Sequence, residues 1–599
     1  MSGGGWRLSP IARHVWQTKY QFRRDGQVVD TDIAATWQRV ATAVAAVERD
    51  PGHWRPRFFQ LLHGFRFLPG GRILAGAGTG RRVTLFNCFV MGVIEDSMEG
   101  IFEALKEGAL TMQQGGGVGY DFSTLRPRGA RARRAGTIAS GPVSFLKVWD
   151  DVCATLLSTG TRRGAMMGTL RCDHPDIEAF IDAKREPGTL THFNLSVLVT
   201  DDFMAAVARD ADWPLVFPAA ALDGAGEVVQ RHWPGQPGPV PCRVLRRVRA
   251  RELWRHIMRA NYDSAEPGVL FIDRINRENN LAYRERIVAT NPCGEIPLPP
   301  YGACCLGSFN LTRFVRDPFT PEARFDFAEL RRWVPLAVRL LDNVIDVSGF
   351  PLPAQRAQAR GSRRLGLGMT GLADALVMLG LHYASQAARD MAARILRELL
   401  FIAYRSSVAL AREKGTFPFY ERDGYLRSPF IRRLPAALQA AIARHGTRNS
   451  HLVALAPTGS ISLLADNVSS GIEPIFDLQY RRHVVQPDGG EREFTVEDYA
   501  YALWRARHGD SAALPLTFVT ALELSPHDHL AMQAALQPWV DNAVSKTVNV
   551  PGDYPFADFT DIYRQAWRLG LKGCTTYRPH AGLGVVLESS KAVCRSCGA

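Results

Sequence analysis

The sequence predicts an α/β fold built on a mostly parallel sheet or barrel covered on both faces. Short apolar segments recur along the chain without polar alternation, the mark of strands buried on both sides. Stretches with helical spacing separate them, as when each strand is followed by a crossover helix. The chain of 599 residues is 46% hydrophobic and 22% charged. That is the composition of a soluble globular protein, long enough for one large core or roughly two to four domains.

Thr31 and Asp32 can cap a helix whose apolar residues Ile33, Trp37, Val40, Val44 and Val47 fall three or four apart, so residues 1–80 read as a helical region. From 81 to 580 the apolar segments follow in order: VTLFNCFVMG, GVGYDF, GAMMGTLRC, FNLSVLVT, GVLFIDRI, CLGSFNLT, RLGLGMTG, HLVALAPTG, AVSKTVNV and GLKGCTTY. Leu365–Ala384 is the most apolar long stretch. It contains Asp374, His382 and several glycines, so it reads as buried strand and helix, not as a membrane span. No short-period repeat is present. Residues 581–599 are small and polar and read as a flexible tail carrying one C-x-x-C.

The N-terminal residues lack an apolar core of signal-peptide length. The ten cysteines are therefore expected to be reduced in the cytoplasm, where catalytic or metal-binding roles outnumber structural disulfides. The net charge of +13 comes mostly from arginines scattered along the chain, so a nucleic-acid partner is not expected. Two arginine clusters stand out. Arg243–Arg259 reads as a helix with a solvated face around Leu253, Trp254 and Ile257. Arg126–Arg134 contains Pro127 and Gly129 and reads as a loop suited to the phosphates of a free nucleotide.

The stretch NPCGEIPLPPYGACCLGSFN, residues 291–310, places Cys293 two residues from Glu295 and sets Cys304 and Cys305 shortly after. A thiol beside a carboxylate is not a hydrolase pair, because cysteine hydrolases need a histidine base. A buried cysteine in a turn is the plain alternative. Cys88, in LFNCFVMG, reads equally as core. Cys594 and Cys597 cannot complete a four-ligand zinc site. On a mobile tail they suit thiol–disulfide exchange, with half a zinc knuckle as the bland alternative. QQGGGVGYDF, residues 113–122, lets backbone approach a ligand closely. APTGSIS, residues 456–462, would form an anion nest at a strand-to-helix turn, without the lysine of an ATP-hydrolysing loop.

Taken together, NPCGE, ACCLGSFNL, LFNCFV, EDSMEGIF, GGGVGYDFS, RRGAMMG, HFNLSV, LLDNVID, APTGSIS and AVSKTVNVP run in this order over nearly the whole chain. The chain resembles the catalytic chain of ribonucleotide reductases, most closely the adenosylcobalamin-dependent class II enzymes. The resemblance implies a ten-stranded α/β barrel of two parallel five-stranded halves with a central finger loop, preceded by a helical N-terminal region. It implies that Cys293 carries a thiyl radical that takes the 3′ hydrogen of a ribonucleotide, and that Glu295 accepts the 3′-hydroxyl proton. Asn291 would bond the sugar hydroxyls and Glu295, while Cys88 and Cys304 supply two electrons and become a disulfide. Where the family usually has Asn after the second of these cysteines, this chain has Cys305.

Other residues carry over by motif. Asn87, Gly117, the Asn291–Glu295 run with Pro292 and Gly294, and Pro457, Thr458, Gly459, Ser460 and Ile461 match substrate-binding positions. Asp96, Ser97, Arg126, Arg133 and Arg163 match the deoxynucleotide effector site of a homodimer. Cys594 and Cys597 would reduce the internal disulfide and be recharged by thioredoxin or a similar dithiol donor. No ATP-cone module is recognisable. Relatives served by a separate radical-generating subunit carry adjacent tyrosines late in the barrel. Here the matching place reads Thr575-Thr576, which points to adenosylcobalamin as the radical source and to no metal ligands from the protein. A reductase needing a radical-generating subunit, and an inactive nucleotide-binding regulator, are the rival readings. Diphosphates are the expected substrates.

Overall fold

A computed structural model of the protein describes residues 8–131, 138–156, 166–485, 490–579, 587–589 and 593–594. Two compact units emerge. One comprises Cys88–Ala303 and Asp553–Thr576; the other comprises Met1–Asn87, Cys304–Gly552 and Tyr577–Ala599. All but one of the ten apolar segments hold a strand; the exception, residues 451–459, contributes isolated bridges at Val453 and Leu455.

The Cys88–Ala303 unit is organised on five parallel neighbours: β1 (Cys88–Val90), β2 (Gly117–Asp121), β3 (Met166–Arg171), β4 (Phe193–Val199) and β5 (Gly268–Phe271). The later segment Gly573–Tyr577 lies antiparallel to β5, pairing Cys574 with Val269. Helices Met98–Gln113 and Pro142–Thr155 make the first two crossovers. The strands read as unbroken apolar runs because both faces are covered. Tyr120, Phe122, Trp149 and Phe193 meet edge to face or tilted on one side and are fully buried.

The Arg243–Arg259 cluster departs from expectation. Only Ala250–Ser264 is helical, with Leu253, Trp254 and Ile257 buried as predicted. Pro239–Arg249 is instead the central strand of a three-stranded antiparallel sheet, flanked by Asp212–Pro218 and Val228–His232. Three valines set among mostly exposed arginines suit a half-solvated strand, and long-range pairing overrides the helical reading.

In the other unit, helix Ile33–Ala45 is capped by Asp32, whose carboxylate accepts the Ala35 amide at 2.8 Å. Val47 falls beyond that helix and is exposed. Helix Phe327–Val347 packs on helices Ile33–Ala45 and Pro51–Leu62 and on the long helix Gln386–Lys414. An ionic knot centred on the buried Arg339 and Glu48 ties these elements together. Arg339 bonds Glu48 at 3.0 Å and Glu413 at 2.9 Å, and Lys414 bonds Glu48 at 2.8 Å.

Strands β6 (Ala303–Asn310) and β7 (Leu365–Thr370) run parallel in register from Cys305↔Leu365 to Asn310↔Thr370. The segment Phe67–Pro69 adds an antiparallel edge to β6. Helix Leu372–Met378 after β7 is wholly buried. Within the expected flexible tail, Leu587–Ser589 pairs with Tyr480–Arg482, and Val593–Cys594 pairs back onto Leu587–Glu588. The tail is thus partly strand, because the hairpin Gln479–Val485/Glu491–Glu497 offers it a free edge. No described helix is long and apolar enough to cross a membrane.

Candidate active site

Residues 289–298 form a narrow hairpin, Ala289–Thr290 pairing with Pro297–Leu298. Its tip turns at Gly294, whose φ of 81° lies in the left-handed region, and the Gly294 amide bonds the Asn291 carbonyl at 3.1 Å. Asn291 is the hub. Its side-chain oxygen accepts from the Ile296 amide at 2.9 Å and from the Thr290 hydroxyl at 3.1 Å. Its amide nitrogen donates to Glu295 Oε2 at 2.8 Å and to Cys88 Sγ at 3.3 Å. Both protons and both lone pairs of one amide are therefore used, in a fully buried position. Glu295 is 1% exposed. Cys293, at the tip, is exposed. A carboxylate, an amide and a thiol thus form one buried set beside a second thiol that is open to an incoming group.

Two features outside the hairpin set its position. Asn194 of β4 donates to the Pro292 carbonyl at 2.9 Å and anchors the tip. A Cβ on Gly119 would stand 1.9 Å from the Thr290 carbonyl oxygen. Gly119 therefore admits the chain's own hairpin. Gly117 sits in register with Cys88.

In the other unit Cys304 and Cys305 are both buried in β6. They point to opposite faces, as consecutive strand residues must. Cys304 Sγ would lie 3.1 Å from a Cβ on Gly366. The Cys305 thiol is pushed well up by burial and by the carboxylate of Asp342.

The Pro457–Ile461 turn is also in this unit. It leads into helix Gly459–Leu464, with Thr458 as the N-cap residue. Thr458 is held from several sides. Its hydroxyl meets that of Thr370 at 2.6 Å and accepts from the Gly471 amide at 3.0 Å, and its own amide donates to Ser470 Oγ at 2.9 Å. Ser460 Oγ meets the Tyr20 hydroxyl at 2.7 Å. Asn87 packs its side chain near Gly70.

The predicted effector residues are brought together in part. The Asp96 carboxylate accepts from the Arg126 amide at 3.1 Å and its Nε at 2.8 Å. Ser97 caps helix Met98–Gln113. Arg133, Arg163 and Cys597 lie outside the described residues, and for Cys594 only the backbone position in a strand is described. Thr575 is exposed, and the Thr576 hydroxyl bonds Asn261 and, at 3.2 Å, Tyr563.

Sequence reasoning missed Asn194, Tyr20, Thr370 and Ser470. HFNLSV marks Asn194 as part of a motif without saying what it touches. Tyr20 lies 440 positions from its partner, and no local signal links them.

This geometry can be set beside known proteins. Residues 86–577 match the family model "Ribonucleotide reductase, barrel domain", and residues 7–82 match "Ribonucleotide reductase, all-alpha domain". A vitamin B12-dependent ribonucleoside-diphosphate reductase of Mycobacterium tuberculosis is 39% identical over 98% of this chain and 81% of that protein. One from Thermoplasma acidophilum is 34% identical over 98% of this chain and 72% of that protein. A ribonucleoside-diphosphate reductase subunit alpha of Chlamydia muridarum is 26% identical over 96% of this chain and 58% of that protein. The hairpin, its buried Asn291 hub and the Pro457–Ile461 turn all lie inside the matched barrel region, and the chain belongs to the ribonucleotide reductase family.

Proposed function

We propose that this chain reduces ribonucleoside diphosphates to 2′-deoxyribonucleotides, the precursors of DNA, in an adenosylcobalamin-dependent reaction. The observation that carries the reading is the Asn291 hub, which holds Glu295 and Cys88 in one buried set beneath the exposed thiol of Cys293. The vitamin B12-dependent relatives support the cofactor class. Two features of this chain fit such a cofactor. Cys293 is open at the hairpin tip, and the late strand offers Thr575 and Thr576, which cannot be oxidised as relay steps. Adenosylcobalamin, when bound, supplies an organic radical by homolysis of its cobalt–carbon bond.

The residues then divide the work. Cys293, as thiyl, takes the 3′ hydrogen atom of the ribose. Glu295 accepts the 3′-hydroxyl proton, and Asn291 keeps that carboxylate aimed. The 2′-hydroxyl leaves as water. Cys88 and Cys304 give up two hydrogens' worth of electrons and protons and become a disulfide, after which Cys293 returns its hydrogen to C3′. The balance is one ribonucleotide and two thiols in, one deoxyribonucleotide, one water and one disulfide out. Burial of the set keeps a carbon radical from solvent. Pro457, Thr458, Gly459, Ser460 and Ile461 hold the substrate phosphates, with Asn87 and Gly117 lining the sugar site. Cys594 and Cys597 pass electrons in from thioredoxin or another dithiol donor.

Asp96, Ser97 and Arg126, with Arg133 and Arg163, bind a deoxynucleotide effector between two copies of the chain. The exposed Met98, Phe102 and Leu110 along helix Met98–Gln113 support a homodimer, since that helix starts at the effector residues. The cytoplasm supplies both the nucleotides and the reducing donor.

The test is turnover of CDP by the isolated chain with adenosylcobalamin, a deoxynucleotide effector and a dithiol. Deoxycytidine diphosphate is expected. Product from CTP alone would reassign the substrate, and product only after addition of a second protein would favour a reductase of the subunit alpha type.

A further inference from the structure

The turn that leaves the catalytic hairpin breaks a local rule. Pro299–Gly302 follows directly on the hairpin strand Pro297–Leu298. The Gly302 amide donates to the Pro299 carbonyl at 2.9 Å and closes a four-residue turn. The third position of this turn has a φ of 60°, in the left-handed region. Glycine or asparagine ordinarily fills such a position. Here it is Tyr301, a bulky residue for which that backbone is an outlier. A strained residue of this kind persists only where its surroundings hold it, and such residues gather at working sites.

The surroundings of Tyr301 do hold it. Its hydroxyl donates to the Glu107 carboxylate, whose oxygens lie at 3.1 and 3.3 Å. Burial and the charge of Glu107 push the Tyr301 pKa up to about 12, so the hydroxyl keeps its proton and remains a donor at neutral pH. A Cβ on Gly92 would stand 2.4 Å from the hydroxyl oxygen, so the ring reaches Glu107 only past a glycine.

Both neighbours of the turn are themselves fixed. Glu107 belongs to helix Met98–Gln113, which buries Ile101, Ala104, Leu105, Gly108 and Met112. A Cβ on Gly108 would lie 1.6 Å from the Tyr120 hydroxyl of β2, so this helix sits tightly on the sheet. On the other side the Val90 amide donates to the Gly302 carbonyl at 2.9 Å. That bond ties the turn to the end of β1, two residues past Cys88. The hairpin, the Cys88 strand and the helix thus meet at one turn, all within the Cys88–Ala303 unit. Neither Tyr301 nor Glu107 has a part in the proposed chemistry.

We propose that Tyr301 is a positioning residue, whose bond to Glu107 fixes the base of the catalytic hairpin on helix Met98–Gln113 and so the placement of Cys293 and Glu295 relative to Cys88. Its role in turnover rests on the proposed reaction.

Tyr301→Phe keeps the ring and the strained backbone and removes only the hydroxyl. In this variant kcat for CDP should fall about threefold to tenfold, the worth of one hydrogen bond, with KM and melting temperature unchanged. Glu107→Gln keeps an acceptor and should stay near wild type. Glu107→Leu should match Tyr301→Phe, and the double variant should be no slower than either alone, since both remove the same bond. Hydrogen–deuterium exchange of the unliganded chain gives a second readout. Peptides spanning residues 289–303 should exchange faster in Tyr301→Phe, while those of helix Gln386–Lys414 should not change. If the wild type makes no product, the proposed reaction fails, and the exchange comparison still decides whether Tyr301 holds the hairpin. Wild-type kcat in Tyr301→Phe, exchange that is unchanged or rises over the whole chain, or a double variant that multiplies the losses of the two singles, overturns the inference.

Discussion

The catalytic hairpin and the Pro457–Ile461 turn are held by different means. Around Asn291, every partner but Cys88 lies within five residues, and the loop is closed on itself by its own side chain. Around Thr458 and Ser460 the partners come from Tyr20, Thr370, Ser470 and Gly471. The hairpin carries its own geometry, whereas the turn borrows its geometry from the N-terminal region and from the end of β7. Damage to the hairpin should therefore abolish chemistry. Damage to the turn's remote supports should loosen binding by modest amounts.

The largest effect is expected at the tip. Cys293→Ser should remove all product, including a single deoxynucleotide per chain, because a serine O–H bond is too strong for the hydrogen-atom exchange. Measurable product from this variant, by chromatography, would show that another group starts the reaction.

Next come the two buried thiols. Cys88→Ser and Cys304→Ser should each stop normal product formation. Cys305→Ser should keep most turnover, since Cys305 faces Asp342 and not Gly366. Its cost is one of stability, about 1–2 kcal/mol for a buried group that loses apolar contact. Activity in Cys304→Ser with none in Cys305→Ser would shift the assignment by one residue.

A third, smaller effect tests the support of the hairpin. Gly119→Ala places a methyl group 1.9 Å from the Thr290 carbonyl, so the hairpin must move. A displacement of roughly 1 Å costs on the order of a hundredfold in kcat, and circular dichroism should show a retained fold. Unchanged kcat would mean that the hairpin is more adaptable than its hydrogen bonds imply.

The smallest effect belongs to the turn. Tyr20→Phe removes one hydroxyl partner of Ser460. KM for the nucleotide should rise about threefold to tenfold, the worth of a single hydrogen bond, with kcat little changed. A collapse of kcat would show that Tyr20 serves the chemistry and that the contrast between the two regions is wrong.

The same contrast explains what could be read from the chain. NPCGE was legible because its bonds are local, and the strands were legible because burial on both faces leaves unbroken apolar runs. Asp32 was legible as a cap because capping reaches only three residues ahead. Arg243–Arg249 was misread because strand pairing with Asp212–Pro218 is decided by a segment some thirty residues earlier. The close approach at Gly119 was not legible as an internal one, because sequence shows that something comes near but not that the visitor is Thr290 of the same chain. Tyr20, Thr370 and Asn194 act through partners far away in sequence, and their roles could not be read locally.

The most direct measurement is a single turnover without external reductant. The chain is fully reduced, freed of dithiol, and mixed with CDP, adenosylcobalamin and an effector deoxynucleotide. Deoxycytidine diphosphate and free thiols are then counted together. The account predicts that each deoxynucleotide formed consumes two thiols, and that mass spectrometry of the digested protein finds Cys88 joined to Cys304. Deoxynucleotide formed with every thiol still free, or with a disulfide that excludes both Cys88 and Cys304, would contradict it.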